Sequence, residues 1–391
     1  MGGERKAGKR RSEGVRKKVN RKGFLMTLRE RFESVFRGEK PDALAFYGDL
    51  TYWYSAHTQL GDLPEAWRGP RGIGQLHRDL GVGEYVPGCC AYAMMEGERV
   101  RVETRTEHGA QIVEWHTPVG LLRQRQEYSA PSFSWGYTEH AVRTVDDLKV
   151  LRYIMEHRRY RPTPEAIARI DRDYGDGGVP VVAVPGTPLT ELNKTWMGVM
   201  DMCYLLADEP VEVRKTLDAI AASHDALFAI TAACDCRYVM FCENLSAETM
   251  AGYFDEYLAA HLTRRVAQMH AGGKKAMIHN DGTLRGTLEK LAATGMDCVD
   301  SVVPHPVGDV AISDLRTLAG DDKIILLGGL PGAIFAPPFT AKDMEKQVKE
   351  IIRVHKDSGR FMLGVADQVP PNGDLGLVRL VAGLVEEYGR Y

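Results

Sequence analysis

The residues of this chain able to do chemistry stand at the ends of its apolar runs. The run 275–281, KAMIHND, ends in His279, Asn280 and Asp281. Others stop the same way: VVAVPGT at Thr187, YVMFCE at Glu243, VDSVVPH at His305, IILLGG at Gly329 and FMLGVAD at Asp367. On an extended segment His279 and Asp281 point the same way, because side chains repeat every second residue. An imidazole with carboxylates is a competent donor set for a divalent ion such as zinc, and such an ion can activate a thiol, water or ether oxygen as a Lewis acid. A hydrogen-bonded turn at Asn280-Asp281-Gly282 is the plainer use of the same residues.

The remaining candidates carry similar pairs of readings. Glu243, beside Asn244, can serve as ligand, general base or helix cap. Asp367 follows FMLGVA and precedes Pro370, where an acid is costly to bury unless paired or bound to a cation. His305, between two prolines, suits catalysis or a structural histidine, and the loop at Thr187 lets backbone approach a ligand.

If the runs are parallel strands, all these ends face one way, and His279 is expected among Glu243, His305 and Asp367. The order of runs supports this. The run ALAFYGD ends at Asp49, and six later apolar runs each precede a helix-like stretch. Alternation of this kind predicts a parallel sheet with helical crossovers. Site-like residues at nearly every strand end favour closure into a barrel over an open sheet. Seven strands can be placed, and the eighth has no clear signature.

A stretch at 99–130 breaks the rhythm with two-residue alternation turning at His108-Gly109-Ala110, and predicts antiparallel strands inserted on the barrel. The expectation is therefore an α/β protein, a (β/α)8 TIM barrel with an N-terminal antiparallel insertion, as one domain over 26–391. Residues 1–25 hold ten Lys/Arg and too few apolar side chains to fold alone, so they read as a disordered tail.

Before the insertion, TYWYSAH sets three aromatics beside His57, a wall for a flat ligand or ordinary packing. The loop-like GPRGIGQ region offers Arg68, Arg71 and Arg78 for carboxylates. It lacks GxGxxG spacing, and no phosphate loop of the Walker type occurs.

A net charge of -3 names no partner and gives no reason to expect nucleic acid. The seven cysteines are odd in number and scattered, which argues against a disulfide framework and for a reducing, cytoplasmic setting. No apolar run reaches the ~20 residues that cross a bilayer.

Taken in order, GVPVVAVPGTPLTELNKTW, MIHNDGTLRGTLEKLAATGMDCVD, IILLGGLPG and FMLGVADQVPPNGDLGLVRLV resemble segments of the uroporphyrinogen decarboxylase superfamily. The opening LRERFESVFRGEKPD and the TPVGLL of the hairpin look like its branch of cobamide-dependent methyltransferases. The resemblance implies a barrel that meets a corrinoid protein, and a zinc held by His279 with two further positions that are Cys in that branch and Asp281 and Asp367 here. It also implies Glu243 as an oxygen ligand of the kind found in ether-demethylating members, while a second expected glutamate falls on Leu258, near Glu256. An oxygen-rich set favours an ether, alcohol or acid over a thiol.

The expectation is a metal-assisted methyltransferase moving a methyl group between a small O-methyl or similar substrate and a corrinoid protein. In it His279, Asp281, Asp367 and Glu243 hold Zn2+, His305 supplies a proton, and His57, Thr187 and Asn244 meet substrate. A homodimer is compatible. The alternatives are a uroporphyrinogen decarboxylase, using Arg68, Arg71 and Arg78 for carboxylates and Asp49 for pyrrole cations, and a barrel that binds a tetrapyrrole or corrinoid without turnover.

Overall fold

Thr27 accepts from the Glu30 amide while Glu30 reaches back to the Thr27 amide, a reciprocal cap for α1 (Leu28–Arg37). The computed structural model describes residues 25–85 and 90–391; the basic segment, apart from its last residue, and Cys89 lie outside the described residues. Gly38, left-handed at φ 79°, stops the helix. Its apolar stripe, Phe32, Val35 and Phe36, packs against Tyr47 and Tyr238 of the strands and closes the N-terminal end of a barrel.

After β1 (Phe46–Asp49) come α2 (Thr51–Leu60) and α3 (Gly72–Leu80). TYWYSAH forms the first turns of α2. The glycine-rich stretch corrects the loop reading: from Gly72 on it is a helix whose Leu76 and Leu80 recur at helical spacing on a buried face.

Next, β2 (Tyr92–Met95) pairs with β7 (Arg159–Pro162), and β3 (Arg101–Glu107), β4 (Ala110–Thr117), β5 (Gly120–Ser129) and β6 (Ser134–Glu139) form the expected antiparallel sheet. It turns at His108 and Gly109, both at positive φ. The sheet runs to Glu139, past the expected limit, because SWGYTE pairs with β5. α4 (Val145–His157) and α5 (Pro164–Tyr174) flank β7. Thr163 precedes α5 without capping it; its hydroxyl donates to the Cys90 carbonyl.

The barrel resumes with β8 (Val181–Pro185), α6 (Pro188–Glu191), α7 (Val199–Asp208), α8 (Pro210–Ala233), β9 (Tyr238–Leu245), α9 (Ala247–Met250) and α10 (Ala259–Ala271). It continues through β10 (Lys275–Asn280), α11 (Leu288–Ala293), β11 (Cys298–Val302), α12 (Leu315–Ala319), β12 (Ile325–Pro331), α13 (Ala341–His355), β13 (Phe361–Gln368) and α14 (Leu375–Tyr388). Two of the helix-like stretches are broken. The π-helical turn Leu192–Met197 and Gly198 at φ 80° precede α7, Pro210 separates α7 from α8, and a second π turn, Phe254–Leu258, lies before α10.

Seven strands make one parallel sheet in the order β1-β13-β12-β11-β10-β9-β8. Its two edges are bridged by residues 82–85. The Gly83 amide donates to Phe46 O (2.9 Å) and Gly48 N to Gly83 O (3.2 Å); on the other side Glu84 N donates to Gly177 O (3.1 Å) and Val179 N to Glu84 O (3.0 Å). This is the stave the sequence hid, since VGEY has little strand character.

Two cores follow from strand alternation. Tyr47, Tyr85, Met240, Met277, Leu327 and Met362 fill the barrel interior with α1, and a larger apolar layer joins the sheet to its helices. Among the described residues no helix is long and apolar enough to cross a membrane.

Candidate active site

The C-terminal ends of the strands position the site. His279, next to last in β10, is the direct Cα partner of Asp300 on β11. Its Nδ1 lies 3.0 Å from Asp300 Oδ2, while the Tyr85 hydroxyl donates to Asp300 Oδ1 at 2.9 Å. With Nδ1 engaged, Nε2 faces Asp367 Oδ1 at 3.8 Å. A cavity of about 300 Å³ opens here, lined also by Asp49, Met240, Cys242, Asn244 and Gln368. A larger cavity of about 760 Å³ lies at the opposite end, beside Tyr238 and α1; it holds no comparable convergence of catalytic groups.

Three side-chain-bearing residues adopt left-handed backbone at these strand ends: Asn244 (φ 48°), Ser301 (φ 64°) and Asp367 (φ 64°). Pairing shifts register beside two of them, between Ile278 and Asn280 against β9 and between Val299 and Val302 against β12. Such positions carry strain, and here they turn three strand ends around one cavity.

The electrostatics is that of crowded acids. Burial pushes the Asp367 carboxyl up to about 6, helped by the charge of Asp281 and opposed by His279. For His279 burial disfavours the imidazolium, but the Asp300 hydrogen bond and the charges of Asp300, Asp367 and Asp281 outweigh it and raise its pKa. Burial also raises Asp49, whose oxygens accept from Thr51 N (2.7 Å), Thr51 Oγ1 (2.5 Å) and Gln368 Nε2 (2.8 Å). Burial pushes the Cys242 thiol up to about 11, so it stays protonated near neutrality.

Of the residues expected in the site, His279, Asp367, Asn244 and Asp49 line this cavity, and Asp281, exposed just beyond β10, acts on it through its charge. Glu243 stands apart: fully buried, it accepts from Thr187 N (2.6 Å), Thr187 Oγ1 (2.7 Å) and Thr190 Oγ1 (2.5 Å). Thr187 is therefore bound to Glu243 inside the wall. Alternation along β9 puts Cys242 and Asn244 at the cavity and Glu243 behind it.

His305 is exposed, its backbone tied to Val310 and Gln347, and lines a separate cavity beside α13. His57 stacks on Trp53 at 3.9 Å and bonds Asp62 and the Pro371 carbonyl. Arg68 donates to Leu63 O, Arg78 to Gln75, and Arg71 lines a small cavity with Glu84 outside the barrel. Glu256 pairs with Arg214, and Leu258 is buried in the outer core.

Sequence reading missed Tyr85, Asp300, Gln368 and Cys242. Asp300 had a signal of its own, an acid inside an otherwise buried strand. Among the described residues, Glu103, Glu114 and His116 bring ligand atoms within 4.8 Å of one another. They sit on the insertion sheet, where Arg105 and Arg123 already pair with Glu114.

The family model described as uroporphyrinogen decarboxylase (URO-D) matches residues 131–388, well over half of the chain. The chain belongs to the URO-D family. Among solved structures this URO-D-family barrel is similar to a methyltransferase from Methanosarcina mazei, with TM-score 0.61 and 16% identity over 93% of this chain and 99% of that one. At that identity the likeness is one of fold. A structure of the pneumococcal virulence factor StrH, concerned with N-glycan recognition and hydrolysis (TM-score 0.33, 11% identity, 57% and 62% covered), is too distant to carry an argument. So is 3-dehydroquinate dehydratase from Geobacillus kaustophilus (TM-score 0.22, 12% identity, 63% and 78% covered). No curated protein matches the sequence.

Proposed function

We propose that this URO-D-family barrel is a methyltransferase that moves a methyl group between a small methylated substrate, an O-methyl compound or similar, and a corrinoid protein, with a divalent metal, zinc by preference, assisting. The observation that carries the reading is His279, tied through Asp300 to Tyr85 and turned by its Nε2 toward Asp367 across the cavity at the barrel mouth.

The residues present fit a metal there. His279 Nε2 and Asp367 Oδ1 approach to 3.8 Å across the cavity, and Asp367 is raised by burial first and then by the charge of Asp281, which would be the third donor. Glu243 is excluded by its bonds to Thr187 and Thr190. A divalent ion supplies Lewis-acid polarisation of the heteroatom bearing the methyl group.

The chain's own residues do the rest. Asp300 fixes the imidazole's tautomer and direction, as carboxylates behind metal-bound histidines do. Tyr85 and Met240 give the cavity apolar wall, and the plug of α1 closes its far end to water. His305, exposed and outside the cavity, has no assigned step.

The family match also supports a decarboxylase, but Arg68, Arg71 and Arg78 all lie away from the mouth cavity.

The test is elemental analysis of the purified protein beside His279→Ala/Asp367→Ala, followed by assay of methyl transfer from methoxylated compounds to a reduced corrinoid protein. About one zinc per chain, absent from the double variant, is expected. A protein that takes up no metal when zinc is supplied, or a zinc-loaded one that methylates no corrinoid, removes the reading.

A further inference from the structure

Beyond the residues that would hold a metal, the mouth cavity keeps charge of one sign. Asp49 and Asp300 both line it, and its described lining contains no lysine or arginine. Asp49 accepts three hydrogen bonds, from Thr51 and Gln368, and Asp300 accepts from Tyr85 and His279.

Lys194, the cation at this rim, donates to the Cys242 carbonyl (2.8 Å) and to Asn244 Oδ1 (3.0 Å). If Asp367 and Asp281 were to hold a divalent ion, the carboxylates left facing the cavity would be Asp49, bonded to the neutral donors Thr51 and Gln368, and Asp300, bonded to Tyr85 and His279. A carboxylate-bearing donor would then set like charge against them in a desolvated wall, where Coulomb repulsion is weakly screened.

We propose that the cavity recognises a small methyl ether carrying an ammonium group, its ether oxygen toward His279 and Asp367 and its ammonium toward Asp49 and Asp300. The ether half rests on the methyl-transfer reading; the charge preference does not. The cavity of about 300 Å³ is at the small end of ligand sites, which suits a single substituted ring and not a tetrapyrrole. Tyr85 and Met240 offer apolar contact to such a ring.

The experiment compares three probes of nearly one shape on the full chain: 4-methoxybenzylamine, a cation at neutral pH, 4-methylanisole, neutral, and 4-methoxybenzoate, an anion. Binding is measured by calorimetry and by perturbation of His279 imidazole resonances, on zinc-loaded protein and after chelation. The amine should bind at least about tenfold more tightly than 4-methylanisole, with the benzoate weakest, in both states. Asp49→Asn, checked for native circular dichroism, should narrow the gap between amine and benzoate.

A benzoate that binds as well as the amine in either state overturns the proposal, and so does failure of all three probes to perturb His279. The wild-type comparison decides even if the variant misfolds. If the amine binds as expected but no corrinoid is methylated, the methyltransferase reading fails and the charge preference stands.

Discussion

At the residue scale, the chemistry of His279 is decided by a residue 21 positions away. The register that sets His279 opposite Asp300 gives the imidazole one committed nitrogen, because Asp300 Oδ2 takes up Nδ1. Asp300→Asn breaks this arrangement. The amide can turn its oxygen to His279 Nδ1–H and its NH2 to the Tyr85 hydroxyl, or its oxygen to Tyr85 and its NH2 to an Nδ1 that has given up its proton, so the tautomer is no longer fixed. Zinc affinity, measured by chelator competition, should fall roughly 10- to 100-fold, and 15N spectra of His279 should show mixed tautomers. Tyr85→Phe, which leaves Asp300 one partner short, should cost less. Unchanged affinity and tautomer in Asp300→Asn would remove Asp300 from this role. The sequence made His279 and Asp367 legible because they punctuate apolar runs. It left Asp300 and Tyr85 obscure, since cross-strand register is a property of pairing and not of spacing along the chain.

At the element scale, the rhythm of apolar runs and amphipathic helices was enough to place seven strands, and the missing stave shows why it was not enough for the eighth. Residues 82–85 are held by paired backbone hydrogen bonds on either side, with Tyr85 inward and Glu84 outward. Glycine is required there by contact: a Cβ on Gly83 would lie 2.6 Å from the Tyr47 ring. That ring is fully buried in the interior core and hydrogen-bonded to Leu28 O, so it cannot yield freely. Gly83→Ala should therefore destabilise the barrel by about 1–3 kcal/mol, the usual cost of overpacking, in urea unfolding followed by circular dichroism. Gly136→Ala, on β6 with nothing within 4 Å of its added Cβ, should move the midpoint little. Equal effects from both would show that the stave is not under the steric constraint described. The helices around Leu192–Met197 and Phe254–Leu258 were blurred for a related reason, since a π turn keeps the apolar composition of a helix while changing its period.

At the scale of the whole molecule, the barrel and its insertion were readable because hydrophobic periodicity switches visibly between 3.6 and 2 along the chain, while the acid balance of the interior was not, because burial of ionisable groups depends on which helices meet. Two histidines show the consequence. His224 on α8 and His261 on α10 lie near Arg265, whose guanidinium sits 4.3 Å from the Phe228 ring centroid. Burial holds each imidazole down to about 3, with the nearby positive charges adding to the effect. In the unfolded chain each takes up a proton near its ordinary value of about 6.5. Between those limits the unfolded state binds more protons, so these groups make stability fall as pH is lowered from about 6.5 toward 4. The buried acids act oppositely: burial raises Glu84 to about 7, so its contribution to stability is full below about 4.5 and is lost as pH rises through 7. The histidine part is isolated by comparison. Chemical unfolding of wild type and of His224→Asn/His261→Asn at pH 7 and pH 4.5 should give a smaller acid loss in the double variant, by up to about 2–3 kcal/mol for each histidine. Parallel pH profiles for the two proteins would mean that the imidazoles are already hydrated and charged in the folded state, and that the meeting of α8 with α10 is not the dry interface their packing describes.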